Sequence, residues 1–206
     1  DNTEAQRLLR QSQELDPYFG EPYAWWAYAI IFAMVYWDTK PDDSLLDAAL
    51  AACDKALSLD DRNATFYALK ARVLLARREY KRAIAENETA IRLNSTLAAA
   101  HCGLGDSLAY EGMYGDAIDC FENAIRLSPN DPQLWAFYTY GALTLLFQGK
   151  YNDAIEWCDH AHNIPNCQYW TTAHKIVAYA YLDNSEAVGV EKIRLARELP
   201  EFSLSF

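Results

Sequence analysis

The stretch WCDHAHNIPNC, Trp157 to Cys167, gathers two cysteines and two histidines within eleven residues. Thiolate and imidazole are ligands that zinc favours, so Cys158, His160, His162 and Cys167 form a set to weigh as a metal site. Four ligands must converge on one tetrahedral point. His160 follows Cys158 by two positions, and on a helix that step turns it away. No metal site is therefore expected. His101 beside Cys102 is the nearest thing to a nucleophile pair, but adjacent helical side chains diverge by about 100°. Cys102 reads as a buried structural thiol. The chain contains no GxGxxG, GxxxxGK[ST], HExxH or GxSxG, so no phosphate loop, zincin motif or nucleophile elbow is present. No catalytic residue and no cofactor are expected. Sequons at Asn63, Asn87 and Asn94 carry chemistry only on a secretory route.

The chain has 206 residues, 51% hydrophobic and 23% charged, with a formal net charge of −11. That balance suits a globular protein with a substantial core. The acidity repels phosphate backbones and anionic headgroups, so no nucleic-acid partner is expected. Five cysteines (Cys53, Cys102, Cys120, Cys158, Cys167) form no CxxC pair and are odd in number. They suit a reducing cytoplasm better than a disulfide framework. The longest apolar run, Tyr23 to Trp37, is short of the roughly 20 residues a spanning helix needs, and no membrane span is expected. The opening at Asp1, without methionine, reads as a fragment of a longer protein.

The elements that would position any site are written in a repeat. YGDAIDCFENAIRLSPNDP, residues 114 to 132, overlays YKRAIAENETAIRLNSTLA, residues 80 to 98, without a gap. Following one alanine gives Ala5, Ala49, Ala83, Ala117, Ala154 and Ala187, at steps of 44, 34, 34, 37 and 33. A second small residue lies seven further on at Ala56, Ala90, Ala124 and Ala161. Ala83, Asn87 and Ala90 share one helical stripe, as do Ala117, Phe121 and Ala124. Cys158 takes the place of Phe121 in the following copy, facing the core. One helical hairpin cannot cover its own apolar face, so neighbouring hairpins must stack. The repeat is a building block, not a catalyst.

A period of 34 with small residues at set places resembles the tetratricopeptide repeat. Leu104, Gly105 and Leu108 match its first helix, Gly112 and Tyr114 its turn, Ala117, Phe121 and Ala124 its second helix, and Pro129 its exit. The preceding copy keeps Tyr67, Ala71, Leu74, Tyr80, Ala83 and Ala90; the following one keeps Gly149, Tyr151, Ala154 and Ala161. The resemblance implies an all-α fold, a right-handed superhelix of about five helical hairpins after one lone helix. The expected divisions of this single solenoid are 1–16 for the lone helix, then 21–60, 64–95, 98–129, 133–165 and 168–200. The first full copy carries about ten extra residues, placed at WDTKPDDS, where Pro41 breaks a helix. The helix before it holds three tryptophans and three tyrosines. It reads either as a deep packing helix or as a subunit contact through Trp25, Trp26, Tyr36 and Trp37.

In the resembled family the first helices line the concave face and hold the ligand. Carried over, this places a protein or peptide against Tyr28, Phe32, Thr65, Arg72, Asp106, Tyr110, Thr139, Leu143 and Tyr179. Arg72 and Asp106 are equally suited to pair with each other. The clamp by which chaperone-docking members hold a terminal carboxylate is missing, since Ala68, Leu69, Cys102 and Gly103 stand in its place. Phrases such as ELDPYFGEPYAWWAYA, YWTTAHKIVAYAYLDN and ELPEFSLSF are similar to carboxy-terminal repeat regions of bacterial signalling proteins. Those regions follow a class III adenylate cyclase domain or a winged-helix domain. The expectation is a non-catalytic interaction scaffold that positions or regulates an attached signalling domain. Two rivals stand beside it: a homodimerisation module, and a small-molecule sensor or enzyme with Cys102, Asp106, Tyr110 and His174 in an internal pocket.

Overall fold

A computed structural model of the chain describes residues 1–35, 40 and 42–199. Among these there are eleven α-helices and no strand. The helices are α1 (Asn2–Leu15), α2 (Glu21–Val35), α3 (Asp43–Leu59), α4 (Ala64–Ala76), α5 (Tyr80–Leu93), α6 (Ala98–Tyr110), α7 (Tyr114–Leu127), α8 (Leu134–Phe147), α9 (Tyr151–His162), α10 (Trp170–Tyr181) and α11 (Ser185–Glu198). The all-α class is thus as expected. The chain divides into two compact units, Asp1–Glu111 and Gly112–Phe206.

Within each unit every packed pair of helices is consecutive or one apart. In the first unit α2 meets α1, α3 and α4, while α4 meets α3, α5 and α6. In the second, α8 meets α7, α9 and α10, and α10 meets α9 and α11. Such nearest-neighbour packing is how tandem hairpins build a core without distant contacts. The even-numbered helices are flanked on several sides, so α2 buries nine of its residues, including Ala24, Trp26, Ala27 and Ile30. The odd-numbered ones are amphipathic and bury a single stripe. For α5 it is Ala83, Asn87 and Ala90, for α7 Ala117, Phe121 and Ala124, and for α9 Ala154, Cys158 and Ala161. Steps of four and three residues return to one side of a helix, and alanine there lets the partner approach closely.

Two helical glycines mark the tightest approaches. A Cβ on Gly141 of α8 would lie 2.0 Å from Cζ3 of Trp157 on α9. A Cβ on Gly103 of α6 would lie 2.8 Å from Oδ1 of Asn87 on α5. The turn inside each later hairpin passes through one left-handed residue: Arg78, Gly112, Gly149 and Asp183, with φ of 62°, 81°, 73° and 55°. Glycine enters that region freely, whereas arginine and aspartate do so at a cost of about 1–2 kcal/mol. Helix starts are closed by side chains: Asp42 accepts from the Ser44 amide, Asn63 from Thr65 and Asn184 from Ala187. These caps satisfy amide groups that the helix itself leaves without acceptors.

Candidate functional site

In the first unit, Trp25, Tyr28 and Phe32 lie at i, i+3 and i+7 on α2 and form one aromatic stripe. Trp25 meets Tyr28 edge-on at 5.8 Å, and Tyr28 leans on Phe32 at 6.2 Å. Trp25 is 42% and Phe32 37% exposed, which makes them large apolar groups presented to solvent. Trp26, by contrast, is buried in the core with Ile30 and Val73. The Arg10 guanidinium covers its ring at 3.6 Å. Trp26 therefore cannot serve a dimer surface, because the turn of 100° per residue that exposes Trp25 buries its neighbour. Tyr36 and Trp37 lie outside the described residues.

Further along this unit, Thr65 opens α4 with its amide capped by Asn63. Arg72 Nη1 donates to Asp106 Oδ2 at 3.5 Å, bridging α4 and α6. Asp106 is only 7% exposed. Burial pushes its carboxyl pKa up to about 6, with the Arg72 charge opposing the shift. Tyr110, at the end of α6, stacks flat on Tyr80 at 5.2 Å. Its hydroxyl is raised to about 12 by burial and then by Asp106 and Tyr80. Cys102 is fully buried on α6.

In the second unit the three expected positions diverge. Thr139 is 1% exposed, donating to the Trp135 carbonyl at 2.8 Å and sharing a 2.7 Å hydrogen bond with Thr171 Oγ1. It is a buried packing residue, not a contact surface, because a β-branched hydroxyl on an inner helix satisfies itself inside the hairpin stack. Tyr179 lies beneath the Lys175 ammonium at 5.8 Å. Leu143 lines a cleft of about 570 Å³ together with Phe147, Gln148, Tyr151, His174, Val177 and Tyr181. Tyr151 and Tyr181, both lining it, stack flat on each other at 4.7 Å. His174 Nδ1 and Gln148 Oε1 are buried with no hydrogen-bond partner. Burial drives the His174 pKa down to about 4, opposed by the Thr139 backbone, so the ring is neutral near pH 7.

The cysteines and histidines of the 157–167 segment go separate ways. Cys158 is fully buried, and burial raises its thiol well above the ordinary range. His160 stacks on Tyr138 at 5.2 Å. His162 Nε2 meets Thr172 Oγ1 at 3.0 Å, and its Nδ1 meets Arg194 at 3.2 Å. Cys167 Sγ lies 3.1 Å from Thr171 Oγ1. Among the described residues no three side chains of metal-binding type converge. The side chain of Asn87, in one of the sequons, is 1% exposed.

Two arrangements were missed in the sequence. Lys70 is held by Asp54 at 3.0 Å and Glu86 at 2.9 Å, and Lys175 by Asp159 and Glu191, both at 2.8 Å. Each lysine stands on a first helix between acids on the second helices before and after it. The signal was legible, since acid, lysine and acid follow one another at steps of 16 in both places. The other is a series of aromatic pairs, Tyr80 with Tyr110, Tyr114 with Phe147 and Tyr151 with Tyr181. In each pair the first residue of one second helix packs on a residue at or near the end of the next first helix. Tyrosines 80, 114 and 151 stand out as turn markers in the sequence, but which residues pack on them does not.

Comparison with known proteins agrees with these hairpins. The tetratricopeptide repeat profile matches residues 98–131. Residues 98–131 are thus one tetratricopeptide repeat. The chain is 30% identical over 115 residues to tetratricopeptide repeat protein 33 of Homo sapiens, a match covering 52% of this chain and 41% of that protein. The chain thus spans well under half the length of this curated relative. Among solved structures, the Cut9–Hcn1 complex of the APC/C superposes with a TM-score of 0.82 at 16% identity, covering 98% of this chain and 38% of that one. PilF of Pseudomonas aeruginosa gives 0.67 at 20% identity, covering 98% and 86%. These structural likenesses concern the fold. Tetratricopeptide repeat domains generally bind proteins or peptides and are non-catalytic. No helix among the described residues is long and apolar enough to cross a membrane.

Proposed function

We propose that the chain is a non-catalytic interaction scaffold that holds a protein or peptide segment against its first helices. In the first unit the contacts are Tyr28, Phe32, Thr65, Arg72, Asp106 and Tyr110; in the second they are Leu143 and Tyr179. The observation that carries this reading is the half-exposed aromatic stripe of α2, one large ring after another on a rigid helix. Exposed aromatics that lose little side-chain entropy on docking are the groups that most often dominate binding energy. The net charge of −11 selects for neutral or basic segments. In the parent protein such binding would position or regulate an attached signalling domain in the cytoplasm. The cleft beside Leu143 is partly open to solvent, which suits a docked segment better than an enclosed metabolite.

A direct test is capture of native-extract components on wild-type protein and on Phe32→Ala and Arg72→Ala variants, with sedimentation in parallel. A component retained by wild type and lost from both variants supports the reading. No retained component, with the protein monomeric at high concentration, overturns it. A second reading, homodimerisation, draws on the exposure of Trp25 and predicts that Trp25→Ala turns a dimer into a monomer by light scattering. A dimer mass that survives Trp25→Ala removes that reading.

A further inference from the structure

Nine of the fifteen residues of α2 are buried, and α1, α3 and α4 pack against it. Five of the remaining six, Glu21, Trp25, Tyr28, Phe32 and Val35, follow one another at steps of four, three, four and three. Those steps average 3.5 residues, so the five side chains line one seam down the helix. Along it Trp25, Phe32 and Val35 are 42%, 37% and 39% exposed. Tyr28 stands edge-on to Trp25 and tilted against Phe32, which fixes the rings before any partner arrives. The seam also lies in the most acidic part of the chain. Residues 1–61 hold twelve Asp and Glu against four Lys and Arg, a net −8 of the total −11. Residues 62–206 hold seventeen against fourteen, a net −3.

We propose that the α2 seam docks an amphipathic helix of a protein partner, apolar along one face and carrying lysine or arginine on its flanks. The proposal rests on the protein-binding reading above and names the class of partner for its aromatic stripe. Glu21 to Val35 spans about 21 Å, with one seam side chain for every 5 Å or so. A second helix presents its own seam at the same repeat of about 5 Å, so its side chains enter the gaps between these rings. An extended chain presents one side chain per roughly 6.7 Å on each face. It falls out of step within the length of α2. The acidic surroundings attract cationic flanks and repel acidic ones. The same repulsion opposes a second copy of this chain meeting the seam through its own.

The full chain is titrated with three labelled peptides, each about four helical turns long, and binding is read by fluorescence anisotropy. The first carries leucine along one helical face and lysine on the other, in equal number. The second alternates the same leucines and lysines, and the third keeps the first pattern with glutamate for lysine. The first is expected to bind saturably in the micromolar range. The other two are expected to bind about tenfold more weakly, a difference of about 1.4 kcal/mol. Phe32→Ser and Trp25→Ser, both at exposed positions, are each expected to weaken the first peptide about tenfold with the helical circular dichroism unchanged. Val190→Ser, 61% exposed on α11, is expected to leave its binding as it was. Equal binding of the first two peptides overturns the helical partner, and equal binding of the first and third overturns the basic one. An equal loss on Val190→Ser and Phe32→Ser overturns the location. A wild-type dimer that Phe32→Ser turns into a monomer overturns the proposal in favour of a second copy. A native partner lost on Phe32→Ala, with no peptide bound, overturns the docked helix and leaves the scaffold reading standing. No peptide bound and no native partner retained overturns both.

Discussion

Replacing Gly141 by alanine should destabilise the second unit, although alanine is the better helix former. The site lies inside α8, where the exchange by itself favours the helix by about 1 kcal/mol. The new methyl would sit 2.0 Å from Cζ3 and 2.3 Å from Cε3 of Trp157. Carbon atoms rest about 3.5–4.0 Å apart, so the indole must retreat by roughly 1.5 Å. Trp157 also meets Tyr138 edge-on at 5.7 Å, and such a contact contributes about 0.5–1.5 kcal/mol. Overpacking costs about 1–3 kcal/mol. Together these exceed the propensity gain and leave a net loss of about 2 kcal/mol. With a urea slope of about 2 kcal/mol/M, the midpoint followed by circular dichroism should fall by roughly 1 M. Gly189→Ala on α11 is the control, because nothing lies within 4 Å of its Cβ position. That variant should raise the midpoint by about 0.5 M. A Gly141→Ala protein at least as stable as wild type would refute the steric argument and the seating of α9 against α8.

The buried lysines and histidines give two further expectations. Lys175→Met should cost about 3–5 kcal/mol by leaving Glu191, 6% exposed, without its principal counter-charge. Lys70→Met should cost less, since the Glu86 side chain is 20% exposed against 8% for that of Glu191 and can rehydrate more readily. Comparable losses in urea denaturation would contradict this ordering. His162 and His174 both have folded pKa values near 4 against an ordinary 6.5. The unfolded chain therefore binds protons first as pH falls. Their contribution is complete above pH 6.5 and is lost between pH 6.5 and 4, by up to ~3 kcal/mol for the buried His174 and by less for His162, which solvent screens. Asp106 behaves oppositely: its carboxyl is raised to about 6, so its contribution is present below its ordinary range and is lost as pH rises through 6. Hydrogen exchange of the two units between pH 4 and 7 should show opposite trends. A His162→Asn, His174→Asn protein with an unchanged acid profile would refute the assignment.

The spacing of small residues determined the hairpins, because a stripe with alanine at i and i+7 has few ways to be buried except against another helix. The turn was equally legible at Gly112 and Gly149, while their left-handed backbone, at φ of 81° and 73°, belongs to the structure. Thr139 was not legible as a core residue, and Trp26 was legible as one only under the packing-helix alternative. Which side of an all-apolar inner helix meets solvent depends on how many neighbours surround it, and periodicity carries no record of that. The same holds for Asp106, whose chemistry comes from burial, and for His174 and Gln148, whose missing partners exist only as geometry. Composition and period thus specify the rods and their pairing through local sterics. Only the packed structure decides which polar atoms are left buried without a partner, because desolvation is a property of the surroundings and not of the residue.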